Sequence, residues 1–373
     1  MKKTYKISAR EAEEDIRSLV ASRLFTPLLE KNLVEGILLP RKSSAGGIVA
    51  SLLKNPDLAE VYYTSPVQLV NAAQLVSDLT FKEPGDKVAA LLRPCEVRAL
   101  VELEKLQQVD LEHLLIIGVD CLGTCEPEEF KRLKEEQGEE LIAERAEALR
   151  AGQVGDFPRR EACKFCQYPE VPLADINLAL IGSEEEEVLL EARSEEGEKF
   201  LAELNIEEAE SSETRKELLE ALIRDNKAAW EQELENFAAR IEDISGLIEV
   251  LDLCRTCFNC RTACPICYCR ECVFTTLTFE HEGRKYIKWA ERKGSIKMPS
   301  DTLLFHLTRL NHMGLSCVAC GQCESACPSG IPLLKIFKLI GERAQKHFSY
   351  LPGDNLEEPL PLTIYEEDEF EPK

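Results

Sequence analysis

Apolar positions recur with a helical period near the start of the chain. Ile16, Leu19, Val20 and Leu24 fall at i, i+3, i+4 and i+8, which predicts an amphipathic helix over residues 10–25. Short apolar runs then alternate with periodic segments. Gly36 to Leu39, Glu60 to Tyr63, Lys87 to Leu92 and His113 to Val119 read as strands. Ile48 to Leu53, Val67 to Leu79, Glu96 to Leu106 and Glu128 to Leu149 read as helices, with Pro94-Cys95 as a turn. Such alternation predicts an α/β domain with a parallel or mixed sheet over residues 1–205. From Glu207 to about Ile248 the chain is charged and helical, with Leu218, Leu219, Leu222, Ile223, Trp230, Leu234 and Phe237 along one face. This predicts a helical connector over 206–246 between two domains.

Beyond the connector, cysteine replaces periodicity as the organising signal. Cys254, Cys257, Cys260 and Cys264-Pro265 form C-x2-C-x2-C-x3-C-P, and Cys317, Cys320, Cys323 and Cys327-Pro328 repeat it. Three thiolates spaced by two residues wrap one 4Fe–4S cluster, while the fourth, before Pro, ligates the other cluster of a two-cluster ferredoxin. The spacing assigns Cys254, Cys257, Cys260 and Cys327 to one centre. It assigns Cys317, Cys320, Cys323 and Cys264 to the second. Two zinc sites are the competing reading, which two full copies each ending in Cys-Pro disfavour. Residues 247–340 are thus expected to form an α+β, bacterial-type two-cluster ferredoxin domain, followed by an acidic, Pro-rich extended tail over 341–373. With cysteines filling the iron positions, His306 and His312 read as core or surface residues.

The α/β part has its own thiols. Cys95 and Cys121 each follow a predicted strand, which in a parallel sheet puts both at the carboxyl edge where open α/β sheets bind ligands. The Cys163-x2-Cys166 pair needs two more ligands, so a third centre is expected from Cys121, Cys163, Cys166 and either Cys95 or Cys125, with zinc as the alternative metal. Cys267, Cys269 and Cys272 exceed this need. They complete another centre or pack near the clusters. Ser44, Gly46 and Gly47, in a small-residue loop ahead of the predicted helix at Ile48, are candidates for approaching a cofactor phosphate, against the plainer reading of an ordinary loop.

Charge narrows the partners. The net charge of −23 repels phosphate backbones and excludes a nucleic-acid role, and it favours solubility or docking to a basic face. Against it stands one basic island, Arg284, Lys285, Lys288, Arg292, Lys293 and Lys297, which reads as a solvated face or as contact with an acidic partner or nucleotide phosphate. No apolar run approaches the roughly 20 residues of a membrane span, and no apolar signal core follows Met1-Lys2-Lys3. Sixteen cysteines at ligand spacing fit a reducing cytoplasm.

Taken together, Leu92-Arg93-Pro94-Cys95-Glu96, Val119-Asp120-Cys121 and Cys163-x2-Cys166 with Ala174-Asp175-Ile176 resemble the beta subunit family of coenzyme F420-reducing hydrogenases and formate dehydrogenases. Cys264-Pro265-Ile266-Cys267-Tyr268-Cys269-x2-Cys272, His312-Met313, Cys320-Gly321-Gln322-Cys323-Glu324 and Ile331-Pro332-Leu333 resemble the C-terminal part of formate dehydrogenase beta subunits. The resemblance implies FAD in the N-terminal part beside a 4Fe–4S cluster, with Arg93 near the flavin or a phosphate. It implies a partner subunit holding the formate- or hydrogen-oxidising metal, in anaerobic metabolism. The expected function is an oxidoreductase subunit that passes electrons between clusters and a flavin, which exchanges hydride with a soluble coenzyme. The alternative is a non-catalytic relay between a catalytic subunit and a heterodisulfide-reductase-like partner.

Overall fold

A computed structural model of the chain describes residues 3–10, 15–55, 61–81, 85, 87–138, 140–361 and 363–364. It forms two compact units. The first comprises Met1–Glu231, Val318–Cys320 and Leu351–Pro359, and the second Gln232–Cys317, Gly321–Tyr350 and Leu360–Lys373.

The first unit opens with β1 (Thr4–Ser8), α1 (Ile16–Val20), a π turn (Ala21–Phe25) and α2 (Thr26–Glu30). Asp15 starts α1 by accepting from the N–H groups of Arg17 at 2.9 Å and Ser18 at 3.1 Å. The expected helix over 10–25 therefore begins at Ile16 and, through the π turn, reaches Glu30, while positions 11–14 lie outside the described residues. Next come β2 (Gly36–Lys42), β3 (Ile48–Leu53), α3 (Ala72–Thr80), β4 (Val88–Leu92), α4 (Pro94–Lys105) and β5 (Leu114–Val119). α5 (Pro127–Gln137), α6 (Glu140–Arg150), α7 (Glu161–Lys164), β6 (Ile176–Ala179), β7 (Glu187–Ala192), α8 (Glu195–Glu203), β8 (Glu207–Ala209) and α9 (Glu213–Ala238) follow.

The strands build one mixed sheet in the order β3-β2-β4-β5-β6-β7-β1-β8. β2, β4, β5 and β6 run parallel, and the remaining pairings are antiparallel. The sheet is the mixed α/β arrangement expected from the alternation. Its core gathers Ile37, Leu39, Leu115, Ile117, Ile176 and Leu178 against Leu24, Phe25 and Leu28.

Several local expectations are corrected. Ile48–Leu53 is not a helix but the edge strand β3, paired antiparallel with β2 from Ile37↔Leu53 to Lys42↔Ile48. Six residues are too few for periodicity to decide, and β-branched Ile48 and Val49 suit the strand. Pro94 and Cys95 are the first turn of α4, where Pro lacks nothing the helix needs. Glu128 to Leu149 is two helices, and residues 207–209 are strand β8. Val61 makes only an isolated bridge to Arg41, and Glu60 lies outside the described residues.

The second unit continues with α10 (Ile244–Val250), α11 (Asn259–Thr262), α12 (Gly283–Lys293), α13 (Thr302–Met313), α14 (Gln322–Ser325) and α15 (Leu333–His347). It contains no strand among the described residues, so the expected α+β character is not found there. Its cysteine loops are shaped by left-handed turns instead of strand pairing. Thr256 and Phe258 flank Cys257 at φ 47° and 62°, and Gly321, just ahead of α14, stands at 72°. Asp301 occupies the N-cap position of α13, without a capping hydrogen bond from its side chain. Part of the acidic tail docks within the first unit. Pro352 O accepts from Arg98 Nη2 at 2.6 Å and the Gly353 N–H donates to Glu102 at 2.8 Å, whereas positions 365–373 lie outside the described residues.

The parallel strands fix where Arg93-Pro94-Cys95 and Asp120-Cys121 emerge. β4 ends at Leu92 and β5 at Val119, side by side and pointing the same way. Asp120 then locks the exit of β5. Its carboxylate accepts from the N–H groups of Leu180 at 2.8 Å and Ile181 at 2.9 Å and pairs with Arg215 of α9. All of this is buried. We expect Asp120→Asn to leave Arg215 short of a counter-charge and to destabilise the protein by about 3 kcal/mol, with Glu170 and Glu191 still facing the guanidinium. Denaturant unfolding checks this, and a loss below about 1 kcal/mol would show that the pair does not anchor the strand.

Candidate metal centres

In the first unit, Cys121 leaves β5, Cys95 sits in the first turn of α4, and Cys163 and Cys166 lie in and just after α7. These four form an electrostatic group. The Cys163 charge raises the pKa of both Cys121 and Cys166, and Cys121 also acts on Cys95. Burial drives the larger part of each rise and carries Cys166 to about 12. Cys163 alone goes the other way. Burial pushes it up, but the Arg160 guanidinium and the Thr124 backbone and hydroxyl outweigh burial and lower it.

Arg160 is the hub of this group, and no motif in the sequence marks it. It is buried, donates through Nε to Thr124 Oγ1 at 2.9 Å and through Nη2 to Gln68 Oε1 at 2.7 Å, and reaches Cys163 Sγ at 3.7 Å. The same Nη2 lies 3.4 Å from the carbonyl of Cys320, which belongs to this unit together with Val318 and Ala319. Nη1 is buried and donates to no atom of the described residues. Backbone N–H groups complete the setting, Gly123 to Cys121 Sγ at 3.3 Å and Thr124 to Cys163 Sγ at 3.5 Å. Gly123 has φ +99°, and a Cβ there would come within 2.7 Å of the Cys163 Cβ. Cys125 is placed differently. Its thiol donates to Pro66 O at 3.3 Å within the apolar cluster of Tyr62, Val67, Phe130 and Leu133, and burial raises it to about 12.

In the second unit, Cys254 feels the charges of Cys327 and Cys257, and Cys260 those of Cys254, Cys327 and Cys257. Cys264 feels Cys317. Arg309 of α13 is buried among Cys260, Cys264, Cys323 and Cys267. Its Nη2 donates to Cys260 O at 3.1 Å, while Nε and Nη1 donate to no atom of the described residues. His306, one turn earlier, places Nε2 3.3 Å from Cys254 Sγ. Burial, with Arg309 second, holds its pKa at about 4, so the ring is neutral near pH 7. Gln322 Nε2, between Cys320 and Cys323 in the chain, is likewise buried and undonated among the described residues. Among the described residues, no three His, Cys, Asp or Glu side chains converge on a single-ion position.

The donor set fits iron–sulfur clusters. Thiols gathered at ligand spacing supply anionic sulfur, and Arg160 and Arg309, each with undonated N–H groups, act electrostatically on several of them, as donors beside cluster sulfurs do. Left-handed residues on either side of Cys257 and of Cys320 suit the backbone turns from which anion-binding concavities are built. The flavin residues fit less well. Ser43 to Gly47 form a hairpin tip between β2 and β3, closed by Ser43 N–H to Gly47 O at 2.7 Å, so no helix N-terminus stands behind Ser44, Gly46 and Gly47. Arg93 spends its guanidinium on Ser65 O at 3.0 Å, Val67 O at 3.3 Å and Glu96. It also lines a cleft with Pro40, Ile48, Ser65 and Gln68.

Residues 85–217, which carry Cys95, Cys121, Cys163 and Cys166, match the family described as the C terminus of the coenzyme F420 hydrogenase/dehydrogenase beta subunit. The F420-dependent formate dehydrogenase subunit beta of Methanocaldococcus jannaschii is 28% identical over 373 positions, covering 90% of this chain and 92% of that one. The F420-dependent formate dehydrogenase 1 subunit beta of Methanococcus maripaludis is 28% identical over 388 positions, covering 91% of each. The chain is thus similar, over residues 85–217 and in these two relatives along about nine tenths of its length, to the beta subunits of F420-dependent hydrogenases and formate dehydrogenases. A solved chain of the F420-reducing [NiFe] hydrogenase complex from Methanosarcina barkeri is 14% identical, with a TM-score of 0.45, covering 66% of this chain and 94% of that one. Within the family match, the quoted motifs prove largely supportive. Asp120 anchors β5, and Asp175 accepts from Ile116 N–H at 2.8 Å and from Ser194 Oγ at 2.6 Å. No helix among the described residues of this chain is long and apolar enough to cross a membrane.

Gly123→Ala is expected to push Cys163 out of the group while leaving the second unit's cysteines in place. Iron in anaerobically purified protein should fall by about four atoms per chain, one cluster's worth. Unchanged iron would mean that this loop does not position a centre.

Proposed function

We propose that this chain is the electron-relaying iron–sulfur beta subunit of an F420-dependent formate dehydrogenase- or hydrogenase-type complex, working beside a catalytic subunit. The observation that carries this is the pair of buried guanidiniums, Arg160 and Arg309, each with undonated N–H groups set among cysteine sulfurs. Two further supports are the similarity to that family over residues 85–217 and the repeated C-x2-C-x2-C-x3-C-P spacing.

The residues proposed to hold a first centre are Cys254, Cys257, Cys260 and Cys327. By spacing, a second belongs to Cys264, Cys317, Cys320 and Cys323, and a third belongs to Cys95, Cys121, Cys163 and Cys166. A bound 4Fe–4S cluster supplies reversible one-electron storage. Arg160, Arg309 and the N–H donors to Cys121, Cys163 and Cys254 favour added negative charge, which raises the tendency of each site to accept an electron. Hydride exchange with a soluble coenzyme requires a two-electron group such as FAD, to whose phosphates the hairpin tip at Ser44 to Gly47 offers no helix N-terminus. The relay reading, passing electrons to a further protein such as a heterodisulfide-reductase-like partner, is therefore favoured over the flavin reading.

Anaerobic purification followed by iron, acid-labile sulfide, zinc and heat-released flavin analysis tests this. Iron near 12 per chain, about four per cluster, with no flavin, is expected. Zinc in place of iron would overturn the relay, and one FAD per chain would restore hydride exchange. A second expectation concerns Arg160. Replacing it by Gln should shift one centre, and not the others, toward the oxidised form by about tenfold at fixed ambient potential, or about 59 mV for a one-electron couple. Potentiometric EPR reads this, and Arg160→Lys should recover part of the shift. Equal potentials in all three proteins would reduce Arg160 to a packing role.

A further inference from the structure

The basic island finds no use in the relay as described, yet the structure ties it to one centre. Arg284, Lys285, Lys288, Arg292, Lys293 and Lys297 are all exposed, and within 281–297 only Glu282 and Glu291 oppose them. The local balance is six positive against two negative charges, or +4, in a chain of −23. Arg284, Lys288 and Arg292 stand at i, i+4 and i+8, one face of α12. Apolar residues are exposed around them, with Leu277 at 79%, Ile287 at 61% and Leu253 at 69% accessibility.

The segment is fastened to the first ferredoxin-type motif, entirely within the second unit. Lys297 pairs with Asp252 at 2.7 Å, two residues before Cys254. Phe274 packs on Phe305, and Phe305 on Phe258, the residue after Cys257. α13 then brings His306 to Cys254 Sγ. Cys257 itself is exposed. An electron entering or leaving by this motif thus meets solvent beside a positive, partly apolar face.

We infer that α12 and its flanks are the docking face for an acidic one-electron carrier protein that exchanges electrons with the centre of Cys254, Cys257 and Cys260. Charge complementarity chooses the occupant. A positive face on a strongly negative chain steers in a partner that is negative where it docks, and lets it slide clear of the remaining surface. Mobile, solvated lysines and arginines at the rim, with a few apolar side chains between them, suit the small, short-lived interface of a redox encounter. In the exchange the reduced carrier loses one electron and this centre gains it, with no proton or bond transferred. The inference rests on the proposed relay role.

The test uses the full chain, loaded with iron, and a dithionite-reduced bacterial-type acidic ferredoxin as the probe. Iron analysis and EPR of the unaltered protein come first, and an absence of clusters there would defeat the relay reading itself. With clusters present, Arg284→Glu, Lys288→Glu and Arg292→Glu are combined. Stopped-flow reduction by the ferredoxin at low salt should slow by at least tenfold and lose most of its salt dependence, while direct reduction by dithionite stays unchanged. An unaltered ferredoxin rate overturns the docking face. So does equal slowing with dithionite, which would mean the centre itself was disturbed. The inference is also overturned if the charge reversal instead abolishes flotation with anionic phosphatidylglycerol vesicles, or dissociates a dimer in sedimentation, without changing the ferredoxin rate. A single Lys288→Glu variant, expected to slow the reaction by a smaller factor, serves if the triple variant fails to fold.

Discussion

Collecting thiols in a protein interior runs against their chemistry, because iron binds thiolates and burial disfavours the charged form. The rise of Cys166 to about 12 measures that opposition in the first unit. Arg160 is the counterweight. Its guanidinium is buried, held in a fixed orientation by Thr124 and Gln68, and lowers Cys163 against the pull of burial. Much of the local architecture follows from giving this cation its place. Thr124 lies on the loop after β5, Gln68 before α3, and Cys163 three residues further along the chain. Arg309 repeats the device in the second unit, where one cation serves Cys260, Cys264 and Cys323 together.

The sheet contributes position in place of charge. Two adjacent parallel strands deliver Cys95 and Cys121 to one edge, and the buried pair of Asp120 with Arg215 stops the second strand from sliding. Gly123 lets the chain turn immediately afterwards, at a φ that other residues rarely adopt, and keeps space for Cys163. The same edge is where a ligand of an open α/β sheet is expected. Here it is occupied by cysteine, arginine and the returning Val318–Cys320 segment.

Both units treat their sulfurs alike although their folds differ. Each supplies N–H groups to sulfur, a buried guanidinium with hydrogens to spare, and loops closed by unusual backbone turns. Such surroundings adjust how readily a centre accepts an electron, through hydrogen bonds and charge. The surface follows a different rule. The chain is acidic overall, and its basic island is tied to the motif of Cys257, the one ferredoxin-motif cysteine that is exposed.

The cysteine spacing was readable from sequence because consecutive ligands on one loop are local, and local geometry survives without the fold. The α/β alternation and the emergence of Cys95 and Cys121 after strands were readable for the same reason, since strand and helix periods are short. What the sequence could not decide depended on neighbours distant in the chain. Ile48 to Leu53 became a strand only because β2 lay beside it, and this removed the helix that a phosphate loop at Ser44 to Gly47 required. Cys125, as plausible as Cys95 by spacing, was drawn into an apolar cluster with Phe130 and Leu133. Arg160, His306 and Arg309 carry no motif. Their roles come from meeting groups far away in the chain, and burial and long-range charge are properties of the folded chain alone.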